Sequence, residues 1–122
     1  MLSQPLLLEK NNIKLEARNL GNDLVVIISG GDAHLGAVAV GYCYGGQKNK
    51  SNASLLALPG HKEDVLVFPI ARRLSKSLGT NVAVLAGIHF EKLTGGQIMD
   101  IVQTAESLVD ELISAIQESE LS

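Results

Sequence analysis

The sequence predicts an α+β fold, in which a mostly antiparallel sheet of about five strands carries two helices in the order β-β-β-β-α-β-α, as a two-layer sandwich. Three observations predict this fold. Short apolar or alternating runs fill the first half of the chain, two segments with helical spacing follow, and a fully apolar run separates those segments. A length of 122 residues suits one hydrophobic core, so we expect residues 1–122 to form a single domain.

The first half of the chain has strand patterns. Residues 13–19 alternate apolar and polar side chains, which is typical of a strand with one face in water. A glycine-rich connection joins the next two apolar runs, and residues 45–52 are a polar segment that we predict to be a loop. Four strands are therefore predicted, after a candidate short strand at residues 6–9: 13–19, 24–29, 36–44 and 53–58.

The first predicted helix covers residues 63–78, where apolar side chains recur at helical spacing. Gly79 follows as a predicted C-cap. Pro69 lies inside the segment, so it either kinks the helix or marks a later start.

The rest of the chain predicts one more strand and a second helix. Residues 81–87 form a fully apolar run, typical of a strand buried on both faces. Thr94 and Gln97 have the spacing of a capping box, which indicates a helix start. The apolar stripe that follows makes this the clearest element of the chain: Ile98, Ile101, Val102, Ala105, Leu108, Val109, Leu112 and Ile116.

Composition excludes several classes of protein. The chain has 46% hydrophobic residues, a net charge of −3 and no apolar run of membrane-spanning length, which predicts a soluble protein without a membrane partner. Its start lacks the pattern of a secretory leader, and Cys43 is the single cysteine, so we expect a reducing, cytoplasmic location. Aromatic residues make up only 3% of the chain and do not alternate with a basic stripe, which argues against nucleic-acid binding.

Each of the three histidines lies in a loop or strand end, shortly after a glycine. His34 lies in the segment Gly30 to Gly36, His61 follows Gly60 directly, and His89 is two residues after a glycine. If the strand before His34 runs upward, the predicted strand directions bring all three histidines to the top of the sheet. Both helices also begin at that end, where their amide-rich N-termini favour anions.

These residue types suit a phosphate, a divalent metal ion or a phosphorylated ligand. Lys62 lies at a helix start beside a glycine that would let an anion approach the backbone, while histidine nitrogens with Asp32 or Glu63 are ordinary metal ligands. The competing interpretation is that each histidine is a polar loop residue without a ligand. The candidate metal ligands are His34, His61 and His89, and the candidate cofactor-binding residues are Gly30, Gly31, Asp32, His34, Gly60, His61, Lys62, Glu63 and His89.

Three segments carry a family resemblance: residues 31–38, 60–63 and 86–90. Together they resemble the LpdD-like family of small prenylated-flavin chaperones, which accompany UbiD-type decarboxylases, and the likeness spans residues from about 20 to 115. The three histidines match those of the family, and Lys62 and Glu63 match its His-Lys-Glu step. The resemblance implies binding of reduced prenylated FMN, with or without a divalent metal, and its delivery to an apo UbiD-type decarboxylase without substrate turnover. A flavin prenyltransferase would be a further partner.

Two other functions stay open. A metal-dependent enzyme, such as a hydrolase or lyase, could use the three histidines to hold a metal that activates water, with Glu63 or Asp32 as general base. A ligand-free assembly module would act through its surface alone. In each case we expect a homodimer, because a small domain with an exposed edge strand often covers that edge with a second copy.

Overall fold

The computed structural model describes residues 2–44, 47–59 and 63–121 and, of residues 47–49, 64 and 121, only the backbone. The described chain contains six strands and two helices. In chain order they are β1 (Leu6–Lys10), β2 (Ile13–Leu20), β3 (Asp23–Gly31), β4 (Ala37–Tyr44), β5 (Gln47–Ala57), α1 (Asp64–Leu78), β6 (Val82–His89) and α2 (Gly95–Leu121).

The strands form one sheet in the order β1-β2-β3-β6-β4-β5. Every neighbouring pair is antiparallel except β3 and β6, which are parallel. This exception follows from α1, which connects β5 to β6 as a crossover and returns the chain to the middle of the sheet, between β3 and β4. The predicted α+β fold with a mostly antiparallel sheet and two helices is confirmed.

The sheet differs from the prediction at both edges. The candidate short strand is present as β1, which raises the number of strands to six. The predicted loop over residues 45–52 is wrong for most of its length, because β5 begins at Gln47 and pairs with the far end of β4. The pairing is irregular between Cys43 and Tyr44, where the register shifts. Backbone pairing with β4 thus outweighs the low strand propensity of this polar sequence.

Both helices pack on the same face of the sheet. Helix α1 contacts β4, β5 and β6, whereas α2 contacts β1 and β2. Alternate strand residues point toward the helices and are buried, and the residues between them point to the opposite face, which we call the open face. The buried residues of the three strands β2, β3 and β6 are Ile13, Leu15, Ala17, Leu24, Val26, Ile28, Val82, Val84 and Ala86.

Helix α1 has the predicted C-terminal cap. Gly79 is left-handed, with φ of 68°, and its N–H donates to the carbonyl of Ser75 at 2.8 Å. The helix begins at Asp64, so Pro69 lies inside it and does not mark its start. Proline removes the N–H that would reach the Val65 carbonyl four residues earlier, on an exposed part of the helix.

Helix α2 begins with the predicted capping box. The Gln97 N–H donates to Thr94 Oγ1 at 3.2 Å, and the Thr94 N–H donates to Gln97 Oε1 at 2.9 Å. From Ala105 onward its apolar stripe is buried in the core, but Ile98 at the start of the stripe is 48% exposed. Within the described ranges, neither helix combines the length and the apolar character needed to cross a membrane.

Arg73 joins the two helices on their outer side. Its guanidinium binds Glu106 at 2.8 Å and Asp110, both on α2. The bond to Asp110 is the main cause that raises the pKa of Arg73 further above its usual value. The side chains of Arg73, Glu106 and Asp110 are all partly exposed, so we expect these two ion pairs together to contribute about 1 kcal/mol or less to stability.

Asp23 joins β3 to the start of β6, at the end of the sheet opposite the histidines. Its Oδ1 accepts hydrogen bonds from the Thr80 hydroxyl at 2.8 Å and the Asn81 N–H at 3.2 Å. The Thr80 bond, followed by the Asn81 bond, lowers the pKa of Asp23 below its usual 3.8.

The lowered pKa of Asp23 predicts acid sensitivity. A carboxyl with a depressed folded-state pKa stabilises the fold above its unfolded pKa and loses that contribution as the pH falls through the folded value. The thermal midpoint of the wild-type protein should therefore fall more steeply below about pH 4 than that of Asp23→Asn, measured by circular dichroism. Parallel curves for the two proteins would contradict this assignment.

Candidate functional site

His34 and His89 lie side by side at one end of the sheet. His89 is the last residue of β6, where it pairs with Gly31 at the end of the parallel strand β3. The chain after β3 turns back into β4, which is antiparallel to β6, and this turn carries His34. The two imidazole rings have centroids 5.6 Å apart and are tilted by 55°. The strand directions inferred from the sequence therefore predict the placement of this pair.

Two glycines allow the close approach of the backbones around this pair. Gly31 has φ of 63°, and a Cβ there would lie 2.0 Å from the His89 carbonyl oxygen. A Cβ on Gly87 would lie 2.1 Å from the His34 carbonyl oxygen. Gly87 alternates with the buried residues of β6, so the His34 turn crosses the end of the open face. The short spacing of backbones thus requires glycine at both positions.

The turn is held by main-chain hydrogen bonds at both ends. The Asp32 N–H donates to the His89 carbonyl at 3.0 Å, and the Gly36 N–H donates to the Ala86 carbonyl at 2.9 Å. His34 Nδ1 lies 3.0 Å from the Asp32 carbonyl oxygen. A carbonyl only accepts, so Nδ1 is the donor in this contact. This contact holds the His34 ring against its own turn.

Glu63 connects the start of α1 to the same end of the sheet. It is the N-cap residue of α1, and its Oε1 accepts a hydrogen bond from the Ile88 N–H at 3.3 Å. Its Oε2 is inaccessible to solvent, and its carboxylate fills the space where a side chain on Gly36 would lie. The absence of a side chain at Gly36 therefore leaves room for the Glu63 carboxylate between α1, β4 and β6.

A cavity of about 390 Å³ opens beside this end of the sheet, between the first turns of α1 and α2 and the end of β6. His89 and Glu63 contribute to its lining, and Phe90 contributes an aromatic ring that also packs against the backbone of Gly30 and Gly31. Its other walls are aliphatic. They are formed by Val65, Leu66, Ile88, Leu93, Ile98, Ile101 and Val102.

The structure brings together six of the predicted site residues. Gly30 and Gly31 form the end of β3, and Asp32 anchors the following turn through its main-chain N–H. His34 lies in that turn, and His89 and Glu63 lie next to it. The other predicted residues, Gly60, His61 and Lys62, lie outside the described residues. Among the residues that are described, no three His, Cys, Asp or Glu side chains form a group suited to a metal ion. The three-histidine metal site therefore stays a prediction that depends on His61.

The aliphatic walls of the cavity were not identified as site residues from the sequence. Ile98, Ile101 and Val102 continue the apolar stripe of α2, and Leu66 continues that of α1, so their spacing predicts core positions. One signal was present: Val65 is apolar but lies outside the α1 stripe, and in the structure it is 66% exposed at the cavity. An apolar residue on the polar side of a helix near its start can indicate a binding surface.

The fold resembles a solved structure of low sequence similarity. A chain from the crystal structure of a chaperone complex for yeast 20S proteasome assembly superposes with a TM-score of 0.61 at 10% sequence identity. The match covers 90% of this chain and 93% of that one, and at this identity it shows a shared fold alone. None of the curated proteins matches the sequence significantly.

The family comparison covers nearly the whole chain. A model of the prenylated flavin chaperone LpdD-like domain matches residues 8–117, from β1 through most of α2. The match contains both described histidines, the glycines around them and the cavity walls. The chain therefore belongs to the LpdD-like family of prenylated flavin chaperones.

Proposed function

We propose that this protein binds reduced prenylated FMN reversibly at the cavity beside His34 and His89 and delivers it to an apo UbiD-type decarboxylase. The observation that carries the proposal is the joint position of a polar histidine pair and an apolar cavity at one end of the sheet. A prenylated flavin has the same division, since an apolar ring system is attached to a polar ring edge and a phosphate.

The aliphatic walls suit the apolar part of the flavin. Ile98 and Leu93 lie on one side of the cavity and Ile88 on the other, and Phe90 offers a ring against which a flat ligand can pack. A ligand that covers these side chains removes apolar surface from water, at about 25 cal/mol for each Å².

Polar contacts would orient the ligand. His34 and His89 are both exposed, and an imidazole ring offers polar nitrogens for hydrogen bonds to a ligand. In this proposal Lys62 and the N-terminus of α1 hold the phosphate, and a divalent metal bound by His34, His61 and His89 completes the site. A bound metal would add a positive charge that favours the anionic reduced ligand.

The exposed rim favours a carrier over an enzyme. Leu35, Val65, Ile98 and Met99 are 47%, 66%, 48% and 57% exposed around this end of the molecule. An enzyme that excludes water would cover such a site, whereas a protein that passes a cofactor to a partner needs an accessible one. The decarboxylase is therefore the proposed partner for this rim, and a flavin prenyltransferase is the proposed source of the ligand.

Anaerobic coexpression with a flavin prenyltransferase tests the proposal. The purified protein should carry the absorbance of reduced prenylated FMN, and metal analysis of the same sample tests the metal. His34→Ala and His89→Ala should each weaken flavin binding roughly 10- to 100-fold, the loss expected for a hydrogen bond to a charged group. Glu118→Ala, at the far end of α2, serves as the matched control and should bind like the wild type.

Delivery is measured as decarboxylase activity after addition of the loaded protein to the apo-enzyme. We expect the wild type and Glu118→Ala to restore activity, and the two histidine variants to restore little. The isolated protein should convert no aromatic acid. Decarboxylation by the protein alone, or full restoration by both histidine variants, would refute the carrier function.

A further inference from the structure

The open face of the sheet carries a continuous band of apolar side chains over the four strands β3, β6, β4 and β5, and one more apolar side chain on β1. Residues paired directly across neighbouring strands share a face, and the register aligns one such row from β1 to β5. Every member of this row is apolar except Glu16 on β2. The row is Leu7, Glu16, Ile27, Leu85, Val38 and Leu56, and the next row is Arg18, Val25, Ala83, Val40 and Ser54.

Apart from the His34 turn at one end, this face has no cover within the described chain, because both helices lie on the other side of the sheet. Leu7 is 59% exposed, Leu56 66%, Val40 42% and Ile27 36%. Monomeric proteins rarely expose an apolar patch that extends across four neighbouring strands, so this band indicates an interaction surface.

The two halves of the open face differ. Over β1, β2 and β3 the face has a depression of about 290 Å³, lined by apolar residues that include Leu7, Val25 and Ile27, together with Glu16 and Arg18. Over β4 and β5 the apolar side chains of Val40 and Leu56 are 42% and 66% exposed. A two-fold rotation that turns one half onto the other places these exposed side chains of one copy at the depression of the second copy.

We propose that two copies of this chain stack through their open faces, about a two-fold axis parallel to the strands between β3 and β6. This axis places β1 of one copy over β5 of the other, so Leu56 of each copy enters the depression at Leu7 of the other. Each dimer then contains this contact twice. Stacked sheets pack at about 10 Å with their strands nearly aligned.

The size of the face agrees with a stable dimer. Six strands spaced by about 4.8 Å and about eight residues long give a face of roughly 750 Å². Standard protein interfaces bury about 800 Å² on each partner. The proposed stack therefore uses the whole face, whereas pairing between edge strands would leave the apolar band in water.

The charges of the open face favour the same axis. Charged side chains occur on the β1 and β2 half, where Lys14 and Arg18 balance Glu9 and Glu16. The facing half of the other copy presents the uncharged residues Ser54, Leu56 and Val40. In these rows like charges therefore do not meet, and the long side chains can direct their charged ends toward the rim.

The axis also relates the two candidate sites. A two-fold axis parallel to the strands does not reverse their direction, so the histidine ends of both copies lie at the same end of the dimer. The His34 turn crosses the open face at Gly87, which places it at the border of the stack. The dimer itself does not depend on the proposed flavin function.

The oligomeric state tests the stack. Interfaces of this size have dissociation constants from about micromolar to picomolar. Light scattering at about 50 μM, above this range, should therefore give a dimer with twice the monomer mass, which is 12.9 kDa. Leu56→Glu should weaken dimerisation at least 100-fold, since it replaces the apolar contact with Leu7 of the other copy by a buried carboxylate. Met99→Glu is the matched control, because Met99 is 57% exposed but lies on α2. It should remain dimeric, and circular dichroism should show that both variants are folded.

A mixing experiment tests the orientation. Leu7→Lys should be monomeric alone, as should Leu56→Glu, but their mixture should form a heterodimer with one Lys to Glu contact and one native contact. A monomeric wild type would refute the proposal, as would dimerisation of Leu56→Glu equal to that of the wild type. Dissociation of Met99→Glu would assign the interface to α2 instead. Failure of the mixture to associate would refute the proposed axis.

Discussion

Gly41→Ala is expected to destabilise the protein by about 2–3 kcal/mol, near the upper end of the range for overpacking a core. Gly41 lies in β4 on the face that α1 covers, where a Cβ would lie 2.1 Å from the carbonyl oxygen of Ala71 and 2.5 Å from its carbon. These are backbone atoms of a helix, so the whole of α1 must shift to admit one methyl group. Ala37 and Ala39 are the other small residues of β4 beneath this helix.

The measurement is thermal or denaturant unfolding followed by circular dichroism. A loss of this size should lower the thermal midpoint by roughly 10 °C for a chain of this length. Gly95→Ala is the matched control, since a Cβ there meets nothing within 4 Å and alanine is the better helix former. It should be neutral or slightly stabilising. Equal stability of Gly41→Ala and Gly95→Ala would mean that α1 does not pack this closely on β4.

Gly87→Ala is expected to separate His34 from His89 while leaving the core intact. The new Cβ would lie 2.1 Å from the His34 carbonyl oxygen, and the exposed turn can move more easily than β6. Binding of reduced prenylated FMN should weaken about 10-fold or more, because the change removes the polar contacts of His34 from the site.

Two measurements separate this effect from unfolding. The ring signals of His34 and His89 in nuclear magnetic resonance spectra should shift, whereas the signals of core methyl groups such as Leu112 should not. Gly96→Ala is the control, because its Cβ would meet only Thr94 Oγ1 at 3.9 Å. Unchanged histidine signals in Gly87→Ala would show that the backbone of the His34 turn does not pack against Gly87 of β6. Unchanged flavin binding despite shifted signals would remove His34 from the flavin site.

Local patterns predicted the elements with strong end signals. The Thr94 and Gln97 capping box and the Gly79 cap are present as hydrogen bonds, because caps satisfy backbone groups close in sequence. The same patterns failed for residues 47–52, where the strand depends on pairing with β4 rather than on its own polar side chains. The sequence also left open whether Pro69 kinks the helix or marks its start. The helix continues through Pro69 because its apolar residues on both sides of the proline are buried in the core.

The sequence by itself predicted the order of the strands along the chain and their directions, and therefore that His34 and His89 lie at the same end of the sheet. The order of the strands within the sheet came from the structure. The sequence also determined which side of each helix is apolar. Only the tertiary structure showed what covers those apolar sides. Hydrophobic periodicity shows that a helix has an apolar face, but it does not show whether that face packs in the core or lines a binding site. The stripe of α2 enters the core from Ala105 onward, but its first turns face a cavity. The predicted two-layer sandwich already left one face of the sheet uncovered, but only the strand register showed which residues share that face.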